Sequence, residues 1–235
     1  MCESQGHFFG IVAPALKKMV SEERPREWLS PSSAGGCMRQ RVLRLEEDYY
    51  QDLYKSWVPS VGTAIHDWLS VQQDDDTLRE HRLKMTVEHE GTTYYLSGQI
   101  DRYNPDTREI LDFKTTRSFW GKKLPDPDHV LQLNLYAHLL EHHQHPVERM
   151  RLWYVKPEVV RKRDSGNYLV DSRLFDAPLW APNERQAALD DLVTRHHDAF
   201  TKGLPEPYAP DHPKYYRCGW CPVRDACYAR AMAGE

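Results

Sequence analysis

The sequence predicts a mixed α/β fold, and three stretches carry that prediction. The first, "SGQIDRYNPDTREILDFKTT" at 97–116, sets two runs rich in Tyr, Ile, Leu and Phe on either side of Asn104-Pro105-Asp106-Thr107, the composition of two strands and a turn. The second, "DHVLQLNLYAHLLEHH" at 128–143, repeats Leu131, Leu135 and Leu139 at helical spacing, while Leu133 and Leu140 widen the apolar face toward a sheet. The third, "RMRLWYV" at 149–155, reads as a further strand.

The remaining elements follow in chain order. Residues 38–55 read as a helix, and Ser60 is positioned to cap a second helix through "VGTAIHDWLSVQQ". Strands at about 82–90 and 93–103 complete a meander with 109–115. A Gly166-Asn167 turn precedes a helix from about Asn183 to Lys202, and the tail is Pro-rich and aromatic before its cysteines. No repeat or low-complexity tract interrupts the 235 residues, a length suited to one globular domain over 1–235.

A chain with 40% hydrophobic and 28% charged residues, 7 Trp and 13 Tyr is neither disordered nor a membrane protein by composition. Gly10 and Pro14 break the apolar run Phe8–Leu16, which lacks the basic leader and cleavage pattern of a signal peptide, so the expected location is cytoplasmic. A formal charge of -4 gives no global attraction to nucleic acid, so such a partner must be held by local patches. Candidates are Arg39, Arg41 and Arg44, Lys122 and Lys123, and Arg161-Lys162-Arg163; solvated charged faces are the alternative for each.

Strand alternation gives the 97–116 stretch its chemistry. It sets Asp112 and Lys114 on one face and Leu111 and Phe113 on the other, with Asp101 brought close by the pairing. Two carboxylates beside an ammonium make a candidate divalent-metal site. A second cluster lies in the tail, where Cys218-x2-Cys221-x5-Cys227 has ligand spacing. A fourth sulfur is needed for tetrahedral zinc or an iron-sulfur cluster, and only Cys37 and Cys2 remain. Cys37 is favoured because it lies in "SPSSAGGCMRQR" just before a helix, whereas Cys2 is terminal. Disulfides are disfavoured in a reducing compartment, and an odd count would strand one thiol.

With Gly62-x3-His66, Gly98-x2-Asp101, Asp112-x-Lys114, Gln132-x3-Tyr136 and the four cysteines in view, the sequence resembles the RecB-like branch of the PD-(D/E)XK nucleases. It is most similar to the iron-sulfur members of that branch, which include CRISPR-associated adaptation exonucleases, the AddB nuclease domain and phage exonucleases. One departure is Asp112, where many members carry Glu. The resemblance implies a restriction-endonuclease-like central mixed sheet flanked by helices, with residues 203–235 and the region around Cys37 forming a metal-cluster cap. It implies a divalent-metal-dependent DNA exonuclease with catalytic residues Asp101, Asp112, Lys114, Gln132 and Tyr136. His66, Asp101, Asp112 and the Phe113 carbonyl would bind Mg²⁺ or Mn²⁺, and Cys37, Cys218, Cys221 and Cys227 a 4Fe-4S cluster, with zinc as the runner-up. Tyr215, Tyr216, Trp220 and Tyr228 are available to shield such a cluster, whereas His196-His197 and "EHHQHP" at 141–146 read as solvated helix ends. DNA is the expected partner, together with proteins of a CRISPR or phage recombination pathway; oligomeric state has no signature in the sequence. The alternative function is a non-catalytic nucleic-acid-binding module with a structural zinc centre.

Overall fold

A computed structural model of the chain describes residues 25–49, 62–64, 77–116, 118–121, 123–161 and 168–234, with backbone alone at 157–161 and 168–170. The chain divides into two compact units, Glu27–Gly35 with Ile65–Arg195, and Met1–Arg26 with Gly36–Ala64 and His196–Glu235.

The first unit is a six-stranded mixed sheet: β1 (Trp28–Leu29), β2 (Leu78–His89), β3 (Thr92–Asn104), β4 (Glu109–Thr115), β5 (Arg149–Arg161) and β6 (Tyr168–Ala177). The β2–β3 hairpin turns at Glu90-Gly91, both at positive φ, the geometry that matches strand twist. The β3–β4 turn is fixed by Asn104, whose Oδ1 accepts from the N–H groups of Asp106 at 2.9 Å and Thr107 at 3.1 Å, so the sequence-based turn stands. β4 and β5 are parallel and need a crossover, which is a helix, Pro127–His142. Asp126 caps this helix by accepting from Asp128 N–H, with Pro127 in the first turn.

That helix is buried almost all round. Leu133, Leu135, Ala137, Leu139 and Leu140 are fully covered, and buried Asn134 donates to Val130 and Pro178 carbonyls while accepting from Trp180 N–H. The leucine ridge read from the sequence understated this, because a second helix, Pro182–Thr201, packs beside it: buried Arg185 meets Glu141 at 2.5 Å.

The second unit contains the helix Met38–Glu46, a 3-10 turn Tyr215–Trp220 and the helix Arg224–Met232. We number the helices α1 (Met38–Glu46), α2 (Pro127–His142), α3 (Pro182–Thr201) and α4 (Arg224–Met232). The expected helix over 38–55 ends at Glu46, where Glu47 turns extended. Arg230 on α4 reaches Glu46 at 3.2 Å and also pairs with Glu47, tying the tail to α1. Strands β1 and β6 and the start of β2 were not anticipated. The second expected helix falls mostly outside the described residues, of which 62–64 are helical. No helix among the described residues is long and apolar enough to cross a membrane.

Candidate active site and cysteine centre

β3 has a complete partner on one edge and a divided one on the other. β2 pairs along it from Thr92 to Tyr103, whereas its second edge meets β1 at Tyr95–Leu96 and β4 only at Arg102–Asn104. The β3–β4 ladder stops at Arg102↔Leu111, one step short of Asp101 and Asp112. There Asp101 Oδ2 accepts from the Phe113 backbone N–H at 2.7 Å, a side chain satisfying a strand donor at the point where the strands part.

Asp112 is 1% exposed and faces α2. Its Oδ2 meets Lys114 Nζ at 2.5 Å, and its Oδ1 accepts from Gln132 Nε2 at 3.3 Å. The same amide donates to Tyr136 Oη at 3.1 Å, because positions four apart share a helix face. Tyr136 has its hydroxyl pKa raised, first by burial and then by the Asp112 charge, so it keeps its proton. Its ring lies over Gly98, where an added Cβ would come within 2.4 Å of Cε1 and near Pro31. Gly98 is therefore the strand position that lets a helix tyrosine approach the backbone. Four of the expected residues are thus linked in one chain, Lys114 to Asp112 by an ion pair and Asp112, Gln132 and Tyr136 by hydrogen bonds, and Asp101 stands at its strand end. His66 lies outside the described residues.

Tyr154 was not anticipated. Directly across from Lys114 on β5, it accepts from Asp126 N–H at 3.0 Å and pairs with His129 Nδ1 at 2.8 Å, which anchors the start of α2 over the site. Burial pushes its pKa up to about 12. Its "RLWYV" context marked a strand but not a polar partner.

A cavity of about 410 Å³ opens on the other face of the sheet between Arg102, Glu109, Arg149 and Arg151. Glu109 pairs with Arg151, and Asp176 with Arg149, so much of its cationic charge is neutralised.

In the second unit Cys37, Cys218, Cys221 and Cys227 line one cavity of about 60 Å³ with Pro207, Tyr208, Val223 and Tyr228. Cys37 caps α1, its Sγ accepting from Gln40 N–H at 3.5 Å. Arg39, 1% exposed, donates from Nε to Cys227 Sγ at 3.3 Å and from its other nitrogens to the Cys227 and Pro205 carbonyls. This corrects its reading as a nucleic-acid patch: the guanidinium is an internal strut. The aromatic shield is corrected too, since Tyr216 and Trp220 are exposed and only Tyr228 of the four lines the cavity. Among the described residues no three His, Cys, Asp or Glu side chains converge closely enough to grip one ion. The thiols share a cavity without meeting at a point. Burial, then the neighbouring thiols, raises the Cys218 pKa; Cys221 is raised by burial first and also by those thiols.

His196 and His197 are buried rather than solvated: His196 Nε2 meets the Arg26 carbonyl at 2.5 Å and its ring packs on Phe200. Helix α3 continues past both, so they are not at a frayed end. His142 and His143 are exposed, as expected.

The parted strands of a mixed sheet carry two aspartates and a lysine, and a helix supplying Gln132 and Tyr136 covers them. The family model of the PD-(D/E)XK nuclease superfamily matches residues 11–228, and the chain belongs to that superfamily. No curated protein matches it in sequence. Among solved structures, SSO0001 shares the fold with a TM-score of 0.59 and 18% identity, over 92% of this chain and 92% of that one. A phage-related exonuclease from Haemophilus somnus 129PT aligns with a TM-score of 0.39 and 12% identity, over 73% of this chain and 82% of that one.

Proposed function

We propose that this chain is a divalent-metal-dependent deoxyribonuclease of the RecB-like, iron-sulfur type, acting as an exonuclease on DNA ends. The observation that carries the reading is the buried Asp112–Lys114 pair beside Asp101 where β3 and β4 part. Asp101, Asp112, the Phe113 carbonyl and His66 would hold Mg²⁺ or Mn²⁺; oxygen donors suit both ions and an imidazole favours Mn²⁺. The ion, when bound, supplies positive charge to the scissile phosphate and acidifies water.

The chain's own groups do the rest. Lys114 orients the attacking water and assists its deprotonation from the face it shares with Asp112. Gln132 fixes the Asp112 carboxylate through its amide, and Tyr136, which stays protonated and so is not a base, positions Gln132 by accepting from the same amide. Cys37, Cys218, Cys221 and Cys227 would hold a 4Fe-4S cluster, zinc being the runner-up. Their common cavity and the N–H donors aimed at the Cys37 and Cys227 sulfurs support that donor set. The cluster's role is structural, joining the tail to α1.

The test is to incubate purified protein with end-labelled linear single- and double-stranded DNA, with Mn²⁺ or Mg²⁺ and with EDTA. Metal-stimulated release of nucleotides from ends, stopped by EDTA and abolished by Asp112→Asn with DNA binding retained, is expected. Absence of cleavage on every substrate would leave a non-catalytic binding module instead.

A further inference from the structure

Trp120 is 89% exposed, an unusual position for the largest apolar side chain. The loop that carries it is nevertheless held. Thr116 N–H donates to the Val155 carbonyl at 2.9 Å, Thr116 Oγ1 to the Ser118 carbonyl at 2.9 Å, and Trp120 N–H to Ser118 Oγ at 3.0 Å. Gly121 leaves the loop at a φ of +70, where a side chain would be strained. These bonds tie Thr116, Ser118 and Trp120 together and leave the indole in solvent.

The cross-strand register says where. Lys114 is opposite Tyr154, and Tyr154 opposite Arg173, so the three stand in one row on one face of β4, β5 and β6. That row is the catalytic face, since Asp112 and Tyr154 both bond to α2 and its cap. Two strand spacings set Arg173 about 10 Å from Lys114. The Arg173 guanidinium lies 4.3 Å from the centre of the Phe119 ring, seating the residue before Trp120 beside the site.

We propose that Trp120 is a base-stacking platform for an unpaired nucleotide next to the scissile phosphate, with Arg173 and Phe119 as its seat and Arg173 contributing charge toward the backbone. An indole stacks on any base, which suits a sequence-tolerant nuclease that holds a single-stranded end, and a nearby guanidinium attracts the phosphates that accompany it. This rests on the nuclease reading above and specifies the form of its substrate.

The test measures binding of a fluorescein-labelled oligothymidylate in the non-cleaving Asp112→Asn background, with and without Trp120→Ala. The substitution should weaken binding about 5- to 150-fold, and Trp120→Phe should retain most of the affinity. An abasic strand should bind the Trp120 parent more weakly than thymidylate does, whereas the Trp120→Ala protein should bind both alike, a readout that misfolding does not mimic. Equal thymidylate binding by parent and variant, with wild-type cleavage of DNA present, overturns the platform and leaves the nuclease reading standing. Absence of metal-stimulated cleavage by the wild type overturns both.

Discussion

Asp112 sits in a nearly water-free position, where the Lys114 ammonium meets one carboxylate oxygen and the Gln132 amide donates to the other; the same amide donates to the Tyr136 hydroxyl oxygen. Breaking a buried pair by removing one partner costs about 3–5 kcal/mol, toward the low end here because Lys114 is 16% exposed. Lys114→Ala should therefore lower the melting temperature and slow the chemical step by about 10² or more; an unchanged single-turnover rate would make the lysine a bystander. Gly98→Ala tests the close approach of Tyr136. A methyl group 2.4 Å from the ring forces the tyrosine or the strand aside, so a loss of about 1–3 kcal/mol is expected, with reduced turnover. A variant as stable and active as wild type would show that the ring moves freely. Asp101, Asp112 and Lys114 were legible from strand pairing and alternation, which are local rules, whereas Gly98, Gln132 and Tyr136 were named only through the resemblance to PD-(D/E)XK motifs. The bond from Asp101 to Phe113 N–H was not legible, since it exists only where the ladder ends.

Helix α1, the tail and helix α4 are joined by contacts that include sulfur: Cys37 Sγ caps α1 and Cys227 Sγ accepts from Arg39. Burial raises the Cys221 thiol and, less completely buried, the Cys218 thiol above the ordinary value of 9.0, so the folded state favours their protonated forms. For a raised pKa the linked stability is present below the unfolded value and lost as pH rises through the folded one. Metal-free protein should thus lose melting temperature above about pH 9. Loaded protein should instead lose its metal as pH falls, because thiolates are the ligands. A metal-free melting curve flat across alkaline pH would contradict the burial of these thiols. Anaerobically purified protein should be brown, with iron and acid-labile sulfide each near about four per chain. Cys37→Ser and Cys227→Ser should each bleach it and lower the melting temperature, whereas Cys2→Ser should do neither; colourless protein with one zinc per chain would replace the cluster by the runner-up.

At the scale of the whole chain, the sheet and the cysteine centre fall in different compact units, so their losses should be separable. In Cys37→Ser, hydrogen exchange should accelerate in α1 and α4 while β3, β4 and β5 keep their protection. EDTA should stop cleavage without that change. Equal deprotection of both units would show one cooperative structure.

The sequence by itself determined the α/β class, the β3–β4 turn, the helix after β4 and the shared face of Asp112 and Lys114, because turn chemistry and side-chain periodicity act within a few residues. It also brought the three tail cysteines under suspicion by spacing, and Cys37 by its place just before a helix. Only the tertiary structure decided that β3 divides its second edge between β1 and β4, that Arg39 serves Cys227 and that His196 and His197 are interior. It decided too that Trp120 stands exposed on a loop whose Phe119 is held by Arg173, in register with Lys114. Each of these depends on which distant segment lies alongside. Burial and cross-strand register are set by packing between residues far apart in the chain, and no local pattern encodes them.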